Sequence, residues 1–406
     1  MNGFFAGGVD WAKEEHALCV LDEAGSRVSE RRFAHNEEGI ASLCALLVEL
    51  GVGRVAIERP GGLLVERLLE AGLVVLAIHP NQLKAARPRF RASGGKSDGF
   101  DAFVLAELAR TDGHRFRALT PDSSETKALK ALIRAREDLV KTRVALANQL
   151  RSELETFWPG AALLFADLDS PISLAFLERY PSPADARRLG QKHLAAFLDR
   201  HHYCGRKSVA ELLERLRSAP QHGRMGESEL EARRTIVLAL VAALKPLVER
   251  IKLLGSQIAD AVRAHPDGEV FLSLFLSPKS TLTAACLVAE LGDCRERYPT
   301  NEAMAADAGM CPVAVESGKR KVATFRHACD KRLRDAVATL ADATRHHNPW
   351  ASDIYRRARG RGCDHPHAIR ILGRAWLRVI WRMWRDGAPY DPTKHGGLKR
   401  LEAAGG

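Results

Sequence analysis

The sequence contains no run of roughly 18 or more apolar residues, which removes any membrane-spanning helix. Its N-terminus has neither a charged leader nor the apolar core of a signal peptide, so no export and a cytoplasmic location are expected. The eight cysteines, at 19, 44, 204, 286, 294, 311, 329 and 363, form no Cys-x-x-Cys pair. Such spacing argues against a disulfide frame or a zinc site and fits reduced thiols. A complete phosphate-binding loop is missing too. Gly94-Gly95-Lys96-Ser97 copies the end of one, but the first glycine would fall at position 90, which is Phe90. Without an adenosine-binding glycine motif, an actin-like sugar or acetate kinase is disfavoured, although that fold also opens with a hairpin and an acid.

At 406 residues the chain is long enough for two or more cores, and 46% hydrophobic content is ordinary for a globular protein. The net charge is +11. Residues 312–385 hold 17 Lys or Arg against 6 Asp or Glu, so this segment carries the entire excess. Positive charge this localised favours a polyanionic partner, most simply nucleic acid.

Phe4 to Asp10, His16 to Asp22 and Arg27 to Phe33 read as three strands, with Glu23-Ala24-Gly25-Ser26 as a turn. A helix over 37–50 follows, from Ile40, Leu43, Leu47 and Leu50 at helical spacing. Strands at Arg54–Glu58 and Leu73–Ile78 then alternate with short helices. Three hairpin strands followed by alternating helix and strand is the order of a ribonuclease-H-like α/β sheet. Adjacent parallel strands bring their C-terminal ends to one edge, and Asp10 and Glu58 stand at such ends.

Asp98 and Asp101 open a further helix, one turn apart and ahead of Val104, Leu105 and Leu108. Ser97 or Asp98 serves as an N-cap on the simplest reading. If that helix packs beside the strand ends, four carboxylates converge. Such a cluster repels itself unless cations sit within it, and it suits two Mg²⁺ ions on a phosphodiester.

Long helices are predicted over Glu125–Phe157 and about 229–263. The second has Val237, Leu240, Leu244, Leu247, Ile251, Leu254 and Ile258 at spacings of three and four, a coiled-coil seam interrupted by Pro246. An ordinary helical hairpin fits the same pattern. Residues 158–228 between them read as small helices and loops. Ser317 precedes Gly318 and the cations Lys319, Arg320 and Lys321. Spacing alone favours a Ser-Gly turn in a basic loop over a nucleophile. Helices are expected over Asp330–His346 and Pro366–Arg385. In the latter Arg370, Arg374, Arg378 and Arg382 recur every fourth residue, a basic ridge suited to a phosphate backbone. The polar, Gly-rich residues after Gly387 read as a disordered tail.

Four motifs in order resemble those of DEDD-type insertion-sequence transposases of the IS-one-ten family. They are Gly8-Val9-Asp10-Trp11-Ala12-Lys13, Ile57-Glu58-Arg59-Pro60-Gly61-Gly62, Lys96-Ser97-Asp98-Gly99-Phe100-Asp101-Ala102 and Glu316-Ser317-Gly318, the last upstream of Arg326 to Arg334. The resemblance covers about residues 4–385. It implies a RuvC-like (ribonuclease-H-like) domain over 1–118 and a helical coiled-coil connector over 119–267 with an insert at 158–228. A mostly helical transposase domain over 268–386 and a tail over 387–406 complete the chain. Asp10, Glu58, Asp98 and Asp101 would bind Mg²⁺ or Mn²⁺, and Ser317 would form a covalent phosphoserine link to DNA. Lys319, Arg320, Lys321, Arg326, Arg370, Arg374, Arg378 and Arg382 would contact nucleic acid. Implied partners are donor and target double-stranded DNA, a noncoding bridge RNA and further copies of the chain, as a homodimer assembling to a homotetramer. A water-using junction endonuclease needs the acids but not Ser317; a catalytically inactive nucleic-acid-binding protein needs neither.

Overall fold

The computed structural model describes residues 4–58, 60–91, 97–220, 225–277, 280–317 and 320–405. The chain divides into two compact units, Met1–Ser123 with Asp293–Pro299, and Ser124–Gly292 with Thr300–Gly406.

The first unit is built on a five-stranded sheet. Strands β1 (Phe5–Asp10), β2 (Glu15–Leu21) and β3 (Arg27–Ala34) form an antiparallel meander. The β2–β3 turn closes with Gly25 at φ 86° and Ser26 N–H donating to Asp22 Oδ1 at 2.8 Å. Helix α1 (Glu37–Glu49) starts at Asn36, whose side chain accepts from Gly39 N–H. Strand β4 (Val52–Ile57), helix α2 (Leu63–Glu70) and strand β5 (Val75–Ala77) follow. The sheet order is β3-β2-β1-β4-β5, with β4 parallel to both β1 and β5. This is the mixed sheet that the strand order predicts. Strand β5 is shorter than expected, yet Ile78 N–H still bonds the Ile57 carbonyl beyond its end.

Alternation assigns the two sheet faces. Val9, Leu18, Val20, Val55 and Ile57 pack with α1 and α2. The opposite residues face helix α4 (Asp98–Asp112), which follows α3 (Pro80–Phe90). Ala6 and Ala56 pack there with Val104 and Leu105; Ala17, Cys19 and Leu21 pack with Ala102 and Ala106. Gly8 permits the closest approach. A Cβ on it would stand 2.1 Å from the Ala102 carbonyl oxygen and 2.2 Å from Ala106 N, so α4 lies with its backbone directly on β1.

Among its described residues the second unit is helical apart from one hairpin. Helix α5 (Ser124–Phe157) packs along α10 (Glu227–Ala264), and between them come α6 (Pro159–Leu163), α7 (Pro171–Arg179), α8 (Gln191–Arg200) and α9 (Val209–Ser218). Their shared core holds Leu150, Leu154, Phe157, Phe176, Phe197, Val237, Val241 and Leu244. Along α10 every seventh residue, Val237, Leu244, Ile251 and Ile258, is buried, whereas Leu240, Leu247 and Leu254 are only half-buried. The helix runs through Pro246.

Next come α11 (Gly268–Leu272), α12 (Thr281–Leu291) and α13 (Asn301–Asp307), then strands β6 (Val313–Ser317) and β7 (Arg320–Thr324). Helices α14 (Lys331–Thr344), α15 (Pro349–Gly360) and α16 (His365–Asp386) pack together, with Trp376 Nε1 donating to Thr344 Oγ1 at 2.8 Å. Helix α15 was not expected from the sequence. Its signal is Asn348-Pro349, an N-cap followed by proline in the first turn. The segment expected to be a disordered tail instead carries α17 (Gly396–Gly405). Tyr390 and His395 rest against Trp376, and Trp350 rests against His395, so aromatic packing orders the approach to that helix. Among the described residues no helix is long and apolar enough to cross a membrane. None of the eight cysteines is in a disulfide.

Candidate active site

Strand register places the first two acids. Asp10 ends β1, and Val9 lies opposite Ile57, so Glu58 follows β4 beside Asp10. Both continue the face of Gly8 and Ala56 that α4 covers, and both are half-buried. Helix α4 begins at the same edge. Ser97 is its N-cap, accepting from Phe100 N–H at 3.3 Å, which leaves both aspartates free of the capping role. Arg32 lies opposite Ala17, which lies opposite Asp10, and its guanidinium stands 3.9 Å from Asp98. The same guanidinium pairs with Glu15 at 2.8 Å, so it links the start of α4 to the start of β2.

The two helix acids differ sharply in environment. The Asp98 side chain is 54% exposed. Asp101 is 1% exposed, and Arg87 on α3 grips both its oxygens, Nε to Oδ1 at 2.6 Å and Nη2 to Oδ2 at 2.7 Å. This bidentate pair is a strong charge-assisted contact for a buried carboxylate. Among the described residues no three His, Cys, Asp or Glu side chains gather closely enough to hold a metal ion. The acids thus share one face and one edge, but a guanidinium holds the innermost of them. Hard, anionic oxygens at an edge that already draws Arg32 and Arg87 suit Mg²⁺ by donor chemistry. Arg87 lies in the last turns of α3, which runs through Pro88 to Phe90. Arg59 and Lys96, within the recognised motifs, lie outside the described residues.

On the other sheet face a histidine pair backs this edge. His16 is fully buried and its Nε2 lies 2.8 Å from His35 Nδ1, next to the Trp11 ring. Burial, with His35 adding to it, pushes the His16 pKa down to about 4.

In the second unit β6 and β7 pair antiparallel, with Ser317 opposite Arg320 and Glu316 opposite Lys321. Ser317 is exposed at the end of β6. Gly318 and Lys319 lie outside the described residues. The foot of the hairpin is held by side chains. Arg326 Nε donates to the Cys311 carbonyl at 3.3 Å, and the guanidiniums of Arg334 and Arg370 lie 4.5 and 5.0 Å from the Phe325 ring centre. Arg326 and Arg370 are therefore engaged with the protein itself.

The expected arginine ridge on α16 is divided. Arg382 pairs with Asp386 at 2.6 Å, and Arg370 covers Phe325, while Arg374 and Arg378 line a common cavity. Sequence reading also missed Glu290. It is 4% exposed, near Arg134 at 3.5 Å and Lys130 at 3.9 Å. Burial raises its pKa, Asp330 adds to that, and Lys130, Arg134 and Arg332 oppose it.

A transposase model of the DEDD, IS110 (IS-one-ten) type matches residues 7–159, and a second, of the transposase IS116/IS110/IS902 family, matches residues 279–356. The chain is 34% identical to the mini-circle putative transposase for IS117 of Streptomyces coelicolor, over 95% of each chain. The chain belongs to the IS110 family of transposases. It is also 26% identical to an uncharacterized 43.6 kDa protein of insertion element IS110 from the same organism, over 97% of this chain and 96% of the relative. A transposase for insertion sequence element IS1111A of Coxiella burnetii is 31% identical over 41% of this chain and 44% of its own. As an IS110-family transposase the protein is a DNA transposase or recombinase acting on an insertion sequence, and DEDD-type transposases typically use a divalent metal. The two matched segments contain, respectively, the acids and the Ser317 hairpin.

Proposed function

We propose that this transposase cuts and rejoins DNA through a serine–phosphate ester, with Ser317 as nucleophile and carboxylates that hold a divalent cation. The observation that carries the reading is the sheet edge, where Asp10 and Glu58 lie side by side and α4 begins with Asp98. Asp10, Glu58, Asp98 and Asp101 would hold Mg²⁺ or Mn²⁺, Asp101 after release from Arg87. When bound, the cation neutralises phosphate charge and polarises a phosphoryl oxygen.

Ser317 supplies its Oγ from an exposed strand end, where a bulky DNA phosphate can reach it. Attack forms the Oγ–P bond and breaks the bond from phosphorus to the 3′ oxygen. The serine proton passes to a base, and the 3′ oxygen takes up a proton and leaves as a hydroxyl. One ester replaces another, so rejoining is the reverse step and needs no ATP. Lys319, Arg320 and Lys321 beside the serine would hold backbone phosphates.

Guidance by an element-encoded bridge RNA, pairing with donor and target DNA, belongs to the same proposal. So do a homodimer assembling to a homotetramer and the division into domains 1–118, 119–267 and 268–386. Family resemblance supports these, and the positive charge of residues 312–385 supports a nucleic-acid partner.

The test uses the purified full chain with Mg²⁺, RNA transcribed from DNA flanking its gene, and end-labelled junction DNA. A denaturant-resistant protein–DNA adduct is expected in wild type, absent in Ser317→Ala, with strand exchange lost in Asp98→Ala. Cleavage by wild type and Ser317→Ala alike, with no adduct, would mean a metal-dependent nuclease using water.

A further inference from the structure

Helix α16 presents its arginines in three directions, and the middle pair faces a concavity. A cavity of about 390 Å³ lies between α15 and α16, lined by Ile354, Ile371 and Ala375 and by Arg357, Arg361, Arg374 and Arg378. That volume falls within the roughly 300–1,000 Å³ typical of small-ligand sites. Arg357 pairs with Asp353. Among the described residues no carboxylate forms an ion pair with Arg361, Arg374 or Arg378.

Arginine is favoured near the end of a helix by the macrodipole, which accounts for Arg357 and Arg361 at the end of α15. It does not account for Arg374 and Arg378, which come from the interior of α16. A duplex backbone has no use for the apolar part either. Phosphates are met by an extended row of cations, and such a row is what α16 lacks, with Arg370 on Phe325 and Arg382 on Asp386. A concave apolar surface surrounded by guanidiniums selects a ligand with a flat apolar body and attached negative charge.

We propose that this pocket takes one unpaired nucleotide of a nucleic-acid strand. The base would rest against Ile354, Ile371 and Ala375 and stack on guanidinium planes, with its phosphates held by Arg361, Arg374 and Arg378. Stacking on Arg and apolar side chains is how unstacked bases are commonly held. The inference rests on the nucleic-acid-binding part of the function proposed above, and is independent of Ser317 and of the acids.

The experiment measures binding of the full chain in EDTA, so that metal-dependent chemistry is silent. The probes are a fully paired duplex and the same duplex with one extrahelical nucleotide, each as DNA and as RNA. A photoreactive 4-thio-pyrimidine occupies the extrahelical position. The extrahelical probe is expected to bind at least about tenfold more tightly than its paired counterpart. Crosslinks should fall within residues 354–378. Arg361→Ala, at an exposed position, and Ile371→Ser should each remove the preference while paired-duplex binding stays nearly unchanged. Equal affinity for paired and extrahelical probes, a preference that survives both substitutions, or crosslinks elsewhere would overturn the pocket and leave the proposed function standing. Failure to bind any probe would overturn both. The DNA and RNA arms identify which strand supplies the nucleotide.

Discussion

The two units place chemical groups by different means. In the first, a regular sheet does the work: register aligns Asp10 with Glu58, alternation turns both to the α4 face, and Gly8 lets α4 approach closely enough to bring Asp98 to the same edge. In the second, Ser317 ends a two-stranded hairpin whose foot is held by Phe325, Arg326, Arg334 and Arg370. Register across a five-stranded sheet sets the first arrangement, whereas a two-stranded ladder with side-chain packing at its foot sets the second. Periodic sequence therefore reports the former far better than the latter.

The sharpest way to break the first arrangement is Gly8→Ala. Its methyl group would collide with α4 backbone rather than with a side chain that can swing away. A loss of about 3 kcal/mol or more is expected, at or beyond the upper end of ordinary overpacking, read as a lower denaturant midpoint. An unchanged midpoint would mean that α4 does not lie on β1 as described.

Arg87→Ala leaves the Asp101 carboxylate buried without its partner, and a loss of about 3–5 kcal/mol is expected from breaking such a pair. It also tests the metal assignment. If Asp101 is a ligand, Mg²⁺ should raise the melting temperature of this variant more than that of wild type. An equal response in both proteins would count against Asp101 as a ligand.

His16 gives a smaller and pH-dependent effect. Its pKa in the folded chain is about 4 against an ordinary 6.5, so between those values the unfolded chain holds a proton that the folded chain does not. Stability from keeping His16 neutral is full above pH 6.5 and is lost as the pH falls toward 4. The change is on the order of 3 kcal/mol. Chemical denaturation at several pH values should show this slope, and His16→Leu should flatten it whatever its baseline.

Arg382→Ala marks the bottom of the scale. Its pair with Asp386 is exposed and one helical turn apart, a contact of about 0.3–0.5 kcal/mol. Because Arg382 lies outside the Arg374/Arg378 cavity, its loss should also leave the preference for an extrahelical nucleotide intact. A large drop in that preference would restore the continuous ridge expected from four-residue spacing.

Much of the first unit was legible because strands alternate and caps have side-chain signatures. The meander, a cap at Ser97 or Asp98 and the strand-end acids all follow from local pattern. Arg87 was not assigned a partner, because its target lies 14 residues away on another helix. In the second unit the long helices were readable from their apolar spacing, but α15 was missed because few apolar residues mark it. The tail beyond Gly387 looked disordered by composition, yet Tyr390 and His395 find Trp376.

By itself the sequence determined the strand order, the acids at strand and helix ends, the concentration of positive charge and the motifs that mark a transposase. These depend on residue type and on spacing within a few positions. Tertiary structure alone decided that Asp101 is held by Arg87, that His16 stays neutral beside His35, and that four equally spaced arginines serve three different surroundings. Those outcomes depend on which distant side chain arrives opposite, and no local period encodes that.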